Sequence, residues 1–291
     1  MRVVLHISDL HFGTERPLVV KALERLTHVQ APDIVILSGD ITQRARKMEF
    51  AAAGAFMDRL AVPARLVIAG NHDIPLFDVA TRLLHPYWRY KRVFGSELEP
   101  IHETPELLVI GVRTTRRYRH IEGEVSASQI ERVAQRLRQA GQKQLRIVVT
   151  HQPVHVTHAV DQEHLLRGHE QAIRSWTDAG VDLILGGHIH RPFIRGLHDH
   201  FADLRRPVWA VQAGTAVSSR IRHDSNNSVN LIRHAFEDMP RYCEIERWDY
   251  EDTSDEFKIL ERKTIPHPLT STLDWASSGS SSTDRRQFRA R

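Results

Sequence analysis

Side chains that can bind metal ions follow apolar, strand-like segments at five places along the chain. Each of these segments ends in a short motif of carboxylate, amide or imidazole residues. The motifs are Asp9-x-His11, Gly39-Asp40, Gly70-Asn71-His72-Asp73, His151 and Gly187-His188-x-His190. Any one of them could be an ordinary polar turn. Because all five occur in this order and each closes an apolar segment, their arrangement predicts one composite site.

The donor set mixes carboxylate oxygens, an amide oxygen and imidazole nitrogens. It fits manganese, iron or zinc better than calcium or magnesium, and it contains no sulfur that would recruit copper. The set is too large for one tetrahedral ion, whereas two ions that share a carboxylate would use all of it. Two ions about 3.5–4 Å apart promote in-line displacement at phosphorus. We therefore expect two divalent or trivalent transition-metal ions (Mn, Fe or Zn) as cofactors.

The predicted secondary structure explains how distant motifs can meet. Strands and helices are predicted to alternate at the start of the chain, over residues 3–7, 17–30, 34–37, 46–60 and 66–69. This alternation is typical of a parallel α/β arrangement, in which ligands collect outside the carboxyl ends of the strands. Asp9, Asp40 and Asn71 lie at these ends. Gly70 is expected to permit a tight turn at positive φ.

The rest of the chain predicts a second sheet and a tail. Further helices are predicted over residues 76–94, 126–140 and 164–179, and further strands over residues 107–112, 145–149 and 181–185. Strands without helices follow at residues 207–213, 228–236 and 242–248, so this second half is expected to be mainly antiparallel. We expect one domain over residues 1–263. Residues 264–291 are rich in Ser, Thr and Pro, with arginines at the end, and are expected to be a disordered tail.

Composition narrows the class of protein. The 291 residues are 41% hydrophobic and 26% charged, as in soluble globular proteins. A net charge of +4 suits a phosphate-bearing substrate, although a solvated arginine-rich surface explains it equally well. The single cysteine, Cys243, excludes an intrachain disulfide and a thiolate metal cluster. Neither a signal-peptide core nor a membrane-spanning segment is visible, so a cytoplasmic protein without a membrane partner is expected.

The five motifs resemble those of the calcineurin-like metallophosphoesterase superfamily. With His72 rather than an arginine in the third motif, the sequence is most similar to the class III cyclic nucleotide phosphodiesterase-like group and its bacterial relatives. The resemblance covers roughly residues 1–236. It implies an α/β fold, a four-layer α/β/β/α sandwich of two mixed sheets flanked by helices.

The resemblance also implies a role for each motif residue. One metal ion would be held by Asp9, His11, Asp40 and His190. The second would be held by Asp40, Asn71, His151 and His188. His72 would contact the phosphate and assist the departing oxygen, and Asp73 would orient His72.

Three residues outside the motifs are weaker candidates for substrate contact. Arg113 and Arg116 lie in an arginine-dense loop that could pair with a phosphate or could be a solvated turn. Thr215 follows another predicted strand, where a substrate contact and a turn or capping role are both open. Because the metal set is already complete, four further histidines are expected to be exposed loop residues: His155, His158, His164 and His169.

The sequence thus predicts a phosphohydrolase with a binuclear metal centre. The main hypothesis is a phosphodiesterase acting on a cyclic nucleotide or another small phosphodiester, with a metal-bridging hydroxide that attacks phosphorus in line. The alternatives are a phosphomonoesterase, a nucleotide or nucleotide-sugar pyrophosphatase, or an inactive scaffold of the same fold. The expected partner is a small phosphorylated substrate. Nucleic acid is not expected, and a homodimer is left open.

Overall fold

Two six-stranded β-sheets form the centre of the fold in a computed structural model, which describes residues 1–119, 121–238 and 241–266. The strands are β1 (Arg2–Ile7), β2 (Ile34–Leu37), β3 (Ala64–Val67), β4 (Ile101–Glu103), β5 (Leu107–Gly111), β6 (Leu145–Val149), β7 (Leu183–Gly186), β8 (Phe193–Gly196), β9 (Trp209–Gln212), β10 (Ser228–Ala235), β11 (Tyr242–Glu251) and β12 (Glu256–Pro266). The helices are α1 (Pro17–Gln30), α2 (Lys47–Arg59), α3 (Val79–Leu84), α4 (Trp88–Phe94), α5 (Ala127–Arg138) and α6 (His169–Asp178). Short 3₁₀ helices span Asn71–Asp73, Ala159–His164 and Leu197–Asp199.

Both sheets combine parallel and antiparallel pairs. The first has the strand order β12-β11-β10-β1-β2-β3, with β1, β2 and β3 parallel to one another. The second has the order β4-β5-β6-β7-β9-β8, with β5, β6, β7 and β9 parallel and an antiparallel strand at each edge. The motifs therefore follow parallel strands in both sheets.

Three clusters of buried apolar side chains hold the layers together. The central cluster lies between the sheets, where Ile36 of the first sheet and Ile147 of the second are both fully buried. A second cluster packs α1 and α2 on the outer face of the first sheet through residues such as Phe56. The third packs α5 and α6 on the second sheet around Trp176. This is the four-layer α/β/β/α sandwich that the sequence predicts.

The later part of the chain differs from expectation in one strand direction and in the boundaries of its elements. Strands β10 and β11 are antiparallel to their neighbours, as expected, whereas β9 runs parallel to β7. The helix expected from residue 164 begins at His169, because a 3₁₀ helix occupies Ala159–His164. Strand β12 was not predicted, and it extends to Pro266, beyond the expected domain end at residue 263. The remainder of the expected tail, residues 267–291, lies outside the described residues.

Charged residues explain why β12 is difficult to predict. Its sequence contains many Glu, Lys and Arg residues, and several of its side chains are exposed. Its register is fixed by antiparallel pairing with β11, which places Ile265 opposite Cys243 in the cluster between the sheets. Within the described residues, none of the helices combines the length and the hydropathy that a membrane span requires.

Ile265 is therefore expected to contribute to stability although it lies beyond the predicted domain end. The Ile265→Ala substitution should lower the free energy of unfolding by about 2–5 kcal/mol, because it removes buried methyl groups from a packed core. Leu260→Ala on the same strand is the control. Its side chain is 63% exposed, and this substitution should lower the free energy of unfolding by about 0.5 kcal/mol or less. Urea denaturation measures both, and equal losses would contradict the assigned register.

Candidate metal centre

Strained backbone marks the loops that carry the expected ligands. Each motif lies just beyond the carboxyl end of a parallel strand: β1, β2, β3, β6 or β7. Left-handed φ angles between 42° and 74° occur at Asp9, His11, Asp40, His188 and His190. Non-glycine residues rarely adopt this conformation, and it concentrates at functional sites where surrounding contacts enforce it. Three of the five motif loops therefore have a strained backbone, although similar angles occur at Ala31 and Ala61, which follow helices away from the site.

Glycine is required beside Asp40 for close packing. The φ of Gly70 is −92°, so the expected turn at positive φ is wrong for this residue. A Cβ on Gly70 would instead lie 2.1 Å from the backbone nitrogen of Asp40 and 2.2 Å from its Oδ1. Gly39, at φ +107°, has a similar role, because a Cβ there would lie 2.5 Å from Nδ1 of His151. The two glycines let three loops meet at contact distance.

The first group of donors consists of Asp9, His11, Asp40 and His190, whose donor atoms all lie within 4.8 Å of one another. The two Nε2 atoms of His11 and His190 are 3.1 Å apart. Asp9 Oδ1 lies 3.2 Å from His190 Nε2, and Asp40 Oδ2 lies 3.7 Å from His11 Nε2. Asp9 Oδ1 is buried and makes no hydrogen bond to any described residue. A bound cation would satisfy this oxygen.

The second group shares Asp40 with the first. Donor atoms of Asp40, His151 and His188 lie within 4.8 Å of one another. Asn71 joins them, since its Oδ1 is 3.1 Å from His151 Nε2. The other oxygen of Asp40, Oδ1, lies 3.3 Å from the same nitrogen. The donors therefore fit a pair of cations with Asp40 between them, in the two sets that the family resemblance implies.

Backbone carbonyls fix the orientation of three imidazole rings. Nδ1 of His151 donates to the carbonyl of Ser38 at 2.8 Å, and Nδ1 of His190 donates to that of Arg220 at 2.5 Å. Nδ1 of His72 donates to the carbonyl of Gln43 at 2.9 Å. In each case this leaves Nε2 free to face the site. Such outer contacts raise the basicity of a ligating histidine and select its tautomer.

The electrostatics of the centre favour ionised carboxylates. Burial opposes ionisation of Asp9, but the His190 and His11 rings outweigh it and hold the pKa of Asp9 well below its usual value. His151 and His72 act in the same way against burial at Asp40 and lower its pKa. At His151, burial is outweighed by Asp40, which raises the pKa of the imidazole to about 9. Positive charge is thus favoured here, and a metal cation can supply it in place of a proton.

Comparison with known proteins identifies the family. Residues 2–192 match the family model for calcineurin-like phosphoesterases, which is more than half of the chain. The chain belongs to this family. A relative from Synechococcus sp., named as a probable cyclic nucleotide phosphodiesterase, is 27% identical over 205 residues, covering 66% of this chain and 75% of the relative. The family predicted from the motifs is thereby confirmed.

Solved structures share the fold of this calcineurin-like phosphoesterase. A dimetal phosphatase from Danio rerio superposes with a TM-score of 0.64 at 14% identity, over 92% of this chain and 99% of that one. A purple acid phosphatase from yellow lupin (Lupinus luteus) gives a TM-score of 0.64 at 15% identity, over 91% of this chain. The alignment covers only 53% of the lupin protein, so this chain spans about half its length. At these identities the likeness concerns the fold.

Asp73 has partners other than the expected one. Its carboxylate accepts hydrogen bonds from the backbone N–H groups of Ile41 at 3.1 Å, Thr42 at 2.9 Å and Gly70 at 2.8 Å. Burial, with repulsion from Asp40, raises the pKa of Asp73 to about 7. The expectation that Asp73 orients the His72 ring is corrected, because the carbonyl of Gln43 holds that ring. Asp73 instead joins the loop after β2 to the turn after β3.

The three weaker candidates make structural contacts in this calcineurin-like phosphoesterase. Arg116 donates to the carbonyl of Arg113 at 2.9 Å and to Oε1 of Gln129 at 2.7 Å. The Arg113 guanidinium lies 5.8 Å from the ring centroid of Tyr87. Thr215 is buried, and its hydroxyl donates to the carbonyl of Arg220 at 3.1 Å. These contacts favour the turn and packing roles that the sequence left open.

Two residues near the centre were missed or misjudged from the sequence. Arg220 was not considered, yet its guanidinium lies 2.9 Å from Oε1 of Gln43 and 3.4 Å from Nε2 of His72. His164 was expected to be exposed, but its side chain is only 22% exposed and its Nδ1 lies 3.1 Å from Nε2 of His188. Arg220 lies in a loop and His164 at the end of a 3₁₀ helix, both without a recognisable motif, so only the folded structure brings them to the site.

A cavity of about 390 Å³ opens beside Asn71 and His72. Its lining combines Arg44, Arg46, Arg89 and the acidic residue Asp78 with apolar residues that include Pro75, Leu76 and Phe77. The side chain of Phe77 is 80% exposed, which leaves its ring available to a ligand. The weaker candidates Arg113, Arg116 and Thr215 are not part of this lining.

Substitution of Asp40 tests whether one carboxylate serves both groups. Asp40→Ala should reduce the bound metal from two equivalents to nearly none, because each group loses the anionic donor that it shares with the other. Metal content after dialysis is the measurement. Asp58→Ala is the control, since its carboxylate is 72% exposed on α2 and should leave the content unchanged. One full equivalent retained by the Asp40 variant would contradict the shared position.

Proposed function

We propose that this chain is a phosphodiesterase that cleaves small phosphodiesters, cyclic nucleotides among them, with two transition-metal ions. The observation that carries the proposal is the convergence of two donor groups on Asp40, next to an imidazole, His72, that belongs to neither group. The name of the Synechococcus relative, a probable cyclic nucleotide phosphodiesterase, supports the diester class. Every metal-donor position of the five motifs carries a residue that can bind a metal ion, which argues against an inactive scaffold.

The roles proposed for the donors follow their grouping. The first ion, manganese, iron or zinc, would be held by Asp9, His11, Asp40 and His190. The second would be held by Asp40, Asn71, His151 and His188. When bound, such a pair lowers the pKa of water and neutralises charge on the phosphoryl oxygens. The protein contributes fixed donors, since ring and loop positions are already set by the contacts described above.

His72 and Arg220 are placed to act on the substrate. The backbone N–H of His72 donates to Asp40 Oδ1 at 2.8 Å, which fixes this residue at the edge of the metal centre. Its Nδ1 is held by the carbonyl of Gln43, so Nε2 faces outward beside Arg220. Because a guanidinium can only donate, Nε2 of His72 accepts from Arg220 in the structure. Once Arg220 turns to the substrate, Nε2 can carry the proton that is given to the departing oxygen. The neighbouring guanidinium can pair with a phosphoryl oxygen.

The cavity beside His72 suits a substrate larger than a simple phosphate ester. Arg44 and Arg46 offer positive charge to anionic oxygens, whereas Arg89 is already paired with Asp78 at 2.8 Å. The exposed Phe77 ring offers a surface on which a base can stack. A cyclic nucleotide bound with its phosphate at the metal centre would have its base within this region. The cavity thus supports a nucleotide diester within the proposed class.

The reaction class is tested by comparing bis(p-nitrophenyl) phosphate with p-nitrophenyl phosphate, using metal-stripped protein reconstituted with Mn²⁺. We expect faster cleavage of the diester. His72→Ala should keep both metals and lower kcat about 10²–10⁴-fold, because it removes only the proton donor. His28→Ala, an exposed histidine on α1, is the control.

Each other outcome of this comparison has a definite meaning. Faster cleavage of the monoester would replace the phosphodiesterase by a phosphomonoesterase. Metal-dependent activity restricted to phosphoanhydrides would replace it by a pyrophosphatase. Two bound metals with no hydrolysis of any of these substrates would leave the inactive scaffold.

Phe77 tests whether the cavity binds the base. Phe77→Ala should raise KM for cyclic AMP about tenfold and change kcat little, because loss of a stacking surface weakens binding of a base by about 1–3 kcal/mol. Leu84→Ala is the control, since its side chain is 71% exposed but does not line the cavity. An unchanged KM in the Phe77 variant would place the base elsewhere.

A further inference from the structure

A histidine outside all five motifs contacts a proposed metal donor. Nδ1 of His164 lies 3.1 Å from Nε2 of His188, and the two rings meet edge to face with centroids 5.0 Å apart. The other ring nitrogen of His188, Nδ1, is buried and lacks a hydrogen-bond partner in the described part of the chain. One nitrogen of His188 is therefore engaged by His164, and the other is left for a cation.

This arrangement determines where the protons must be. If Nδ1 of His188 binds a metal ion, its Nε2 carries the ring proton and donates it to a hydrogen-bond acceptor. Nδ1 of His164 is then that acceptor, and the proton of His164 lies on its own Nε2. This second nitrogen lies 3.7 Å from Oε1 of Glu163, an exposed carboxylate. A ligand histidine supported in this way has a fixed tautomer and orientation.

Buried ion pairs hold His164 in place. It ends the 3₁₀ helix Ala159–His164, in which Asp161 is fully buried. The Asp161 carboxylate accepts from Nε of Arg191 at 3.2 Å and from the guanidinium of Arg222 at 2.8 Å. Nε of Arg222 also donates to the carbonyl of Ile189 at 2.9 Å, between the two histidines of the last motif. The 3₁₀ helix is thus tied to the loop that carries His188.

A second tie connects the same segment to the loop after β6. Just beyond the 3₁₀ helix, Leu166 is fully buried in the cluster under α6. Its backbone N–H donates to the carbonyl of Pro153 at 2.9 Å, close to His151 in the chain. Because the segment is fixed to the loops of both His151 and His188, the position of His164 is set by structure that surrounds the second donor group.

We propose that His164 is a positioning residue that fixes the tautomer and orientation of His188 for binding the second metal ion. The inference rests on the proposed metal roles but does not depend on which phosphodiester is the substrate. His164 would not bind metal itself. It would act through the hydrogen bond that it accepts from His188.

Three substitutions of His164 separate this role from simple packing. Asn places a polar oxygen near the position of Nδ1, Gln places one near the position of Nε2, and Ala removes both. His164→Ala should weaken binding of one of the two Mn²⁺ ions about 10–100-fold, the range for outer partners of ligating histidines. His164→Asn should restore binding close to the wild-type value, and His164→Gln should not. Val160→Ala, 66% exposed on the same 3₁₀ helix, is the control.

Chelator competition on the 291-residue chain gives the dissociation constant of each Mn²⁺ ion, and thermal unfolding of the metal-free variants reports folding. If His164→Ala also lowers the Tm of the metal-free protein, the Mn²⁺ affinities of the Asn and Gln variants decide between a positioning role and a packing role for His164. Wild-type affinity for both ions in the Ala variant would overturn the proposal, as would equal weakening in Asn and Gln. A wild-type protein that binds no Mn²⁺ would instead overturn the metal centre, and this inference with it.

Discussion

Burial of two carboxylates beside several imidazoles is the constraint on which the rest of the site depends. Asp9 is fully buried and Asp40 is 1% exposed, and burial of unpaired charge is strongly unfavourable. Backbone N–H groups offset part of this cost, since His188 donates to Asp9 and His72 donates to Asp40. Cations would supply the remaining compensation. The left-handed loops and the close-packed glycines are required because these groups must converge away from water.

The two sheets share the construction of this centre. The first sheet supplies the loops of Asp9, His11, Asp40 and Asn71, and the second supplies those of His151, His188 and His190. The relative position of the sheets therefore determines distances between donors. The apolar cluster between the sheets keeps that position, because its side chains are almost all fully buried and closely packed. In this way an apolar core controls the geometry of a polar site.

The convergence of the motif side chains and the layered fold could be predicted from the sequence, whereas the contacts that orient those side chains could not. Parallel strands end at one edge of a sheet, so the pattern of strands is enough to predict that residues such as Asp9 and Asp40 lie close together. The contact of His164 with His188 depends on the path of a 3₁₀ helix, which has no strong periodic signal. The partners of Asp73 depend on loop geometry in the same way. Strand β12 could not be predicted from its own hydropathy, because it is pairing with β11 that makes this segment a strand.

The position of β1 has a consequence for folding. This first strand lies between β2, its near neighbour in sequence, and β10, which pairs with it from the far part of the chain. During synthesis its edge would stay unpaired until residues beyond 228 are available. Such late, non-local pairing slows folding and leaves an exposed strand edge that other chains can join. A protein built in this order would be most prone to aggregation while nascent, before its first strand acquires its second neighbour.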